Sequence, residues 1–178
     1  GVGLYGLGYG HGIDNIRITG SGTPGAVNLI REAFNGCAKP AGWETEIVDG
    51  DHDWTFGRVQ LGSSAFYDGN SMDGSCFVYF DDAELGDSTA PSTIRLYTPW
   101  FDGDTFFHYT LDADVVFRFS GTEHFAIYLQ TGPSDSVELF RKSNGQVGGP
   151  FFPQYVPLHF DLSAYRAPQL RIVFEYSD

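Results

Sequence analysis

Asp49, Asp51 and Asp53 occupy alternate positions of one short acidic stretch, Asp49-Gly50-Asp51-His52-Asp53-Trp54. Calcium accepts roughly six to eight oxygen ligands and tolerates mixed carboxylates and carbonyls, so alternating acids on a turn suit it. The EF-hand pattern is not completed, because Gln60 stands where that loop needs its bidentate Glu. The plainer reading of the same three acids is a solvated surface loop. Asp81-Asp82 and Asp102-Gly103-Asp104 read as turns first and ion sites second. Catalytic signatures are missing: there is no HExxH, no GxSxG, no P-loop and no ExDxxE pair. His11, His52, His108, His124 and His159 are scattered and read as surface or strand residues, and nothing recommends Glu123, His124 and Asp135 as a set. No catalytic residue is assigned, and an enzyme is not expected. Tyr97, Trp100, Phe101, Phe151, Phe152 and Tyr155 lie in loop-like stretches. Exposed aromatics of this kind stack on sugars, and they also make contacts between subunits.

Ten Lys and Arg face 23 Asp and Glu over 178 residues, for a formal net charge of -13. A nucleic-acid ligand needs a basic footprint that this chain lacks, and an anionic membrane surface is equally unfavourable. No apolar run approaches the ~20 residues of a membrane-spanning helix, so membrane insertion is not expected. Neither is a signal peptide apparent, and a start at Gly1 suggests a processed or excised product. One-signed charge of this size calls for high salt or divalent cations, which points outside the cell. There, Cys37 and Cys76 can close one disulfide; the other reading is two buried free thiols.

These residues must be positioned by strands. Period-two alternation runs through 115–120, 125–130, 137–141, 158–162 and 170–176, separated by Gly132-Pro133-Ser134-Asp135, Ser143-Asn144-Gly145 and Gly148-Gly149-Pro150. Short strands at this spacing predict an all-β chain, an antiparallel β-sandwich of jelly-roll type. Helical character is limited to single turns near Ser163-Ala164-Tyr165 and Asp82-Ala83-Glu84-Leu85. The front differs: Gly recurs at 1, 3, 6, 8, 10 and 12, with Tyr5, Leu7, Tyr9 and His11 in phase against the later glycines. Ile13-Asp14-Asn15-Ile16-Arg17-Ile18-Thr19 reads as a strong strand. The expected organisation is an N-terminal arm (1–19), a flexible linker (20–26) and a sandwich body (27–178).

The body resembles the cleaved-adhesin or choice-of-anchor J domains, jelly rolls related to the MAM sandwich and found on secreted and surface proteins. The resemblance rests on Glu32-Ala33-Phe34-Asn35-Gly36, Pro40-Ala41-Gly42-Trp43, Asp49–Trp54 and Ser75-Cys76-Phe77-Val78-Tyr79. It extends through Pro157–Tyr165 and Leu170–Tyr176, and covers about four-fifths of the chain. It implies that Trp43 and Trp54 belong to the core. It also implies that a structural ion is held by acids on the first and last strands, for which Glu32 and Asp14 are the matching positions. The family's last strand, of the form "GIDNIRI", is missing after Tyr176 and is present at Gly12–Ile18, as if the chain were circularly permuted.

Three accounts follow. The arm completes its own sheet, or it is donated to a neighbouring copy, or the chain is one repeat of a tandem array. A linker of about seven residues reaches at most ~25 Å, which permits either of the first two. The favoured expectation is donation: an extracellular filament or adhesive surface fibre built head-to-tail from copies of itself and reinforced by calcium. In it Leu7, Tyr9, Ile13, Ile16 and Ile18 would make the subunit contact. The alternative is a secreted, monomeric carbohydrate-binding module whose partners are surface glycans.

Overall fold

The computed structural model describes residues 10–22, 25–58, 75–81, 92–118, 123–143, 146–147 and 156–177. It is a β-sandwich of two antiparallel sheets. Twelve strands occur among the described residues: β1 (Gly10–Gly22), β2 (Gly25–Glu32), β3 (Glu44–Asp49), β4 (Thr55–Gly57), β5 (Phe77–Asp81), β6 (Thr93–Tyr97), β7 (His108–Arg118), β8 (His124–Gln130), β9 (Ser136–Ser143), β10 (Gln146–Val147), β11 (Val156–Asp161) and β12 (Arg171–Ser177). One sheet runs β10-β7-β1-β5-β4, with β2 also paired to β1 and β11 to β7. The second runs β3-β6-β12-β8-β9.

Alternation decides which side chains meet between the sheets. Ile94, Leu96, Phe125, Ile127, Leu129, Ile172, Phe174 and Tyr176 point inward from the five-stranded sheet and are essentially buried. They meet Ile13, Ile16, Ile18, Leu111, Val115 and Phe117 from the other. Trp43 and Trp54 join this core, as expected.

β1 is a central strand, hydrogen-bonded to β7 on one side and to β5 and then β2 on the other. Ile13 and Ile16 are three residues apart, so strict alternation would put them on opposite faces. Both are fully buried because the ladder to β7 shifts register between Asp14 and Arg17. Asn15 takes φ 49° at that bulge, a left-handed conformation that Asn tolerates better than most residues. Its backbone N–H donates to Asp14 Oδ1 at 2.8 Å, and its Nδ2 donates to Asp114 Oδ2 at 2.9 Å.

The expected linker is largely ladder. Gly20–Gly22 continue β1, Gly25 and Ala26 begin β2, and Gly22 pairs with Gly25. Gly20 is required there by proximity, since a Cβ would lie 2.5 Å from Phe106 Cδ2. Leu7 and Tyr9 of the arm lie outside the described residues. The expected helical turn at 163–165 is a hydrogen-bonded turn, Tyr165 N–H to the Leu162 carbonyl at 3.0 Å. The other, at 82–85, lies outside the described residues.

Gly103 marks another close approach. A Cβ there would lie 2.3 Å from Leu170 Cδ1 and 2.7 Å from the Ala167 carbonyl oxygen, and the latter is backbone. Gly103→Ala is expected to cost about 1–3 kcal/mol, the range of core overpacking. An unchanged urea midpoint would contradict this.

His11, expected as a surface or strand residue, lies on β1 with its side chain in the core. Its ring is buried 4.1 Å from Tyr176, 6.0 Å from Phe125 and 6.5 Å from Trp54, measured between centroids. Burial, with the nearby His124, lowers its pKa from 6.5 to about 3. Between those values the unfolded chain binds the proton and the folded chain does not, so stability falls as pH drops from 6.5 toward 3. Urea unfolding across this window is expected to show a shallower slope in His11→Phe. Equal slopes would refute the assignment.

Candidate functional site

The solvent face of the five-stranded sheet carries a set of polar and aromatic side chains. Cross-strand register places them in rows. The central row is Glu44, Tyr97, Val173, Tyr128 and Glu138, on β3, β6, β12, β8 and β9 in turn. The next is Glu46, Arg95, Glu175, Ala126 and Arg141. On the other side Arg171 pairs with Gln130. Val173 is the small member of the central row, so the sheet is troughed there with a tyrosine on each side. The resulting cleft of about 400 Å³ is lined by Arg95, Tyr97, Tyr128, Gln130, Val173 and Glu175, with Pro133, Ser134 and Ser136 along one end. The Ser134 end is held by two bonds: Thr131 N–H to the Asp135 carbonyl at 2.9 Å, and Gln130 Nε2 to the Pro133 carbonyl at 3.1 Å.

Hydrogen bonds fix almost every wall residue. Glu175 accepts from Arg95 Nε at 2.7 Å and from the Tyr128 hydroxyl at 3.2 Å, and His124 Nε2 lies 3.4 Å away. Tyr97 donates to Glu46, which also lies 3.5 Å from Arg95 Nη1. Arg141 bridges Tyr128 and Glu138. Arg171 donates to Gln130 Oε1 at 2.6 Å and to Glu44 Oε2 at 2.8 Å. Its guanidinium carbon lies 4.1 Å from the Tyr97 ring centroid and 4.4 Å from that of Trp100. Trp100 remains 37% exposed at this end.

Burial pushes the Glu175 carboxyl up, but Arg95, helped by His124 and Tyr128, more than offsets this and holds it below the usual carboxylate range. Burial raises the Tyr97 hydroxyl, reinforced by its bond to Glu46, and burial likewise raises that of Tyr128. The cleft therefore presents ionised carboxylate and guanidinium groups and neutral phenols, all pre-oriented.

The expected site residues are placed differently. Asp14 is buried on β1, and Glu32 Oε1 accepts the Phe34 N–H at 2.6 Å. Asp53 accepts from Thr45 Oγ1 and from the Trp54 N–H, both at 2.7 Å. Asp49 accepts the Gly50 N–H, and Asp51 lies 3.1 Å from His52. Among the described residues no three His, Cys, Asp or Glu side chains are gathered to hold a metal. Asp102 caps its own turn, accepting from the Asp104 N–H at 2.7 Å and from Thr105. Cys37 and Cys76 are joined in a disulfide. Ile13, Ile16 and Ile18, expected to enter a neighbour, are buried in their own chain's core.

Of the aromatics expected in loops to stack on a ligand, Trp100 is exposed at this face, whereas Tyr97 lies on β6 and is only 9% exposed, held under Arg171. Phe101 is instead buried, bridged to Leu170, and Phe151, Phe152 and Tyr155 lie outside the described residues. The other cleft residues went unnoticed in the sequence. The usable signal was the outward phase of three strands: Arg95-x-Tyr97, Tyr128-x-Gln130 and Arg171-x-Val173-x-Glu175. No protein-family model, no curated protein and no solved structure matches the chain.

Proposed function

We propose that this chain is an extracellular, non-enzymatic carbohydrate-binding module that completes its own sandwich, taking a neutral sugar in the trough over Val173. The observation that carries the proposal is the row Tyr97–Val173–Tyr128. A small apolar floor between two aromatic rings accepts the C–H face of a pyranose, and fixed polar groups at both ends address its hydroxyls. Three arginines (95, 141 and 171) and four glutamates (44, 46, 138 and 175) compensate one another, which favours an uncharged ligand over a uronate or a sulfate. The disulfide supports an oxidising, extracellular setting.

Two features weigh against hydrolysis at the same face. Glu46 and Glu175 both engage Arg95. A glycosidase acid needs a raised pKa, whereas Glu175 is held low. Assembly by donated strands is the other reading, and it requires β1 to leave partners that it has within its own chain.

The test is a screen of neutral oligosaccharides read by thermal shift and then by titration calorimetry. A saturable ligand that raises the melting temperature supports the module. Failure of every neutral glycan, with ladders of polymer on light scattering, would return the chain to the filament reading.

A further inference from the structure

The opposite sheet carries a second cleft of about 380 Å³ on its outer face, beside the β1 bulge. One cross-strand row runs through it: Arg31 on β2, Arg17 on β1, Asp112 on β7 and His159 on β11. Asp112 is saturated from both sides. Arg17 Nη2 donates to its Oδ2 at 3.1 Å, and His159 Nδ1 lies 2.7 Å from its Oδ1. The other two acids of the cleft are also engaged: Asp114 accepts from Asn15 Nδ2, and Glu32 accepts the Phe34 N–H. Arg31 is different. It is exposed, has no ion pair among the described residues, and stands directly across the ladder from Arg17.

Like charges placed opposite each other on one sheet face destabilise the pairing. The arrangement is unexpected in a chain with ten basic residues and a net charge of -13. Arg17 has Asp112 across the ladder on its β7 side; on its β2 side, random placement on so acidic a surface would more readily have set a second acid than Arg31. We propose that Arg17 and Arg31 form an anion site, taking one oxyanion group (a carboxylate or a sulfate) between their guanidinium forks, with His159 on its flank. Arginine forks match the planar geometry of such groups. Salt screens the wider negative field within about 8–10 Å, and each of the three carboxylates in the cleft is engaged by a donor of its own, Asp112 by Arg17, Asp114 by Asn15 and Glu32 by the Phe34 N–H.

Sulfate, and separately acetate, would be titrated into the 15N-labelled chain at constant ionic strength held with sodium chloride. Saturable shifts of the Arg17 and Arg31 resonances with a millimolar midpoint are expected. Affinity should fall at least ten-fold in Arg31→Ala and in Arg31→Gln, and stay unchanged in Lys39→Ala. Saturation by sulfate alone would identify a sulfate-bearing ligand, and saturation by both anions a carboxylate-bearing one as well. Linear, unsaturable shifts, or equal affinity in the Arg31 variants, would overturn the site. Neither result bears on the trough of the other sheet, which the two substitutions do not touch.

Discussion

Val173→Phe is expected to abolish glycan binding while leaving the domain folded. Val173 is 5% exposed, flanked in register by Tyr97 and Tyr128, and its side chain is the floor of the trough. A phenyl ring there occupies the volume that a sugar ring would take and pushes the two tyrosines apart. The change lies on the outward phase of β12, so the core contacts of Ile172 and Phe174 are kept. Phe is also a favourable strand residue. A loss of at least 100-fold in affinity is expected, which corresponds to about 2.7 kcal/mol, with a melting temperature within a few degrees of the parent. Val27→Phe, an exposed strand position on the other sheet, serves as the control and should bind normally. Full glycan affinity in a folded Val173→Phe would remove the trough from the proposal.

The strands were legible because alternation is local. Phe125-x-Ile127-x-Leu129 and Ile172-x-Phe174-x-Tyr176 announce a buried face within a few residues, and β8 and β12 lie where that pattern puts them. Three features were not legible. The bulge at Asn15 depends on a left-handed residue, and it reverses the phase of β1, so neither face of Ile13–Ile18 could be assigned from parity. Gly20 reads as part of a flexible linker because flexibility and close packing leave the same mark in a sequence; the ring of Phe106 distinguishes them only in space. The trough was hidden for a related reason. Its wall and floor residues come from β6, β8 and β12, far apart in the chain, and only the register between strands brings Tyr97, Val173 and Tyr128 into one row. Asp49, Asp51 and Asp53 show the opposite relation: they are close in sequence, and each has its own local partners, Gly50 for Asp49, His52 for Asp51, and Thr45 and Trp54 for Asp53.

Removing the disulfide is expected to change both stability and assembly. Cys37 and Cys76 close a loop of 39 residues, and the chain-entropy relation gives about 4 kcal/mol for a loop of that length. For a domain of this size that is a fall of roughly 8–16 °C in melting temperature in the Cys37→Ala/Cys76→Ala variant. The effect on assembly follows from connectivity. β1 turns directly into β2 at Gly22 and Gly25, so β1 can be donated to a neighbour only if β2 goes with it or the hairpin opens. In the oxidised chain the segment from Glu32 to the tethered Cys37 has only residues 33–36 between, a reach of at most about 18 Å. Phe34 anchors even that segment, buried with its ring 5.4 Å from Trp43 and 5.8 Å from Phe56. Without the disulfide, release of Phe34 is enough to let the connection extend to the start of β3 at Glu44, a reach of about 42 Å. The oxidised parent is therefore expected to scatter light as a monomer of 19.6 kDa at all concentrations. The double variant should populate a dimer as concentration rises, because its hinge is long enough for the hairpin to exchange. Polymers formed by the oxidised parent would show that the short hinge does not restrain β1, and strand donation would then become the better account of this chain.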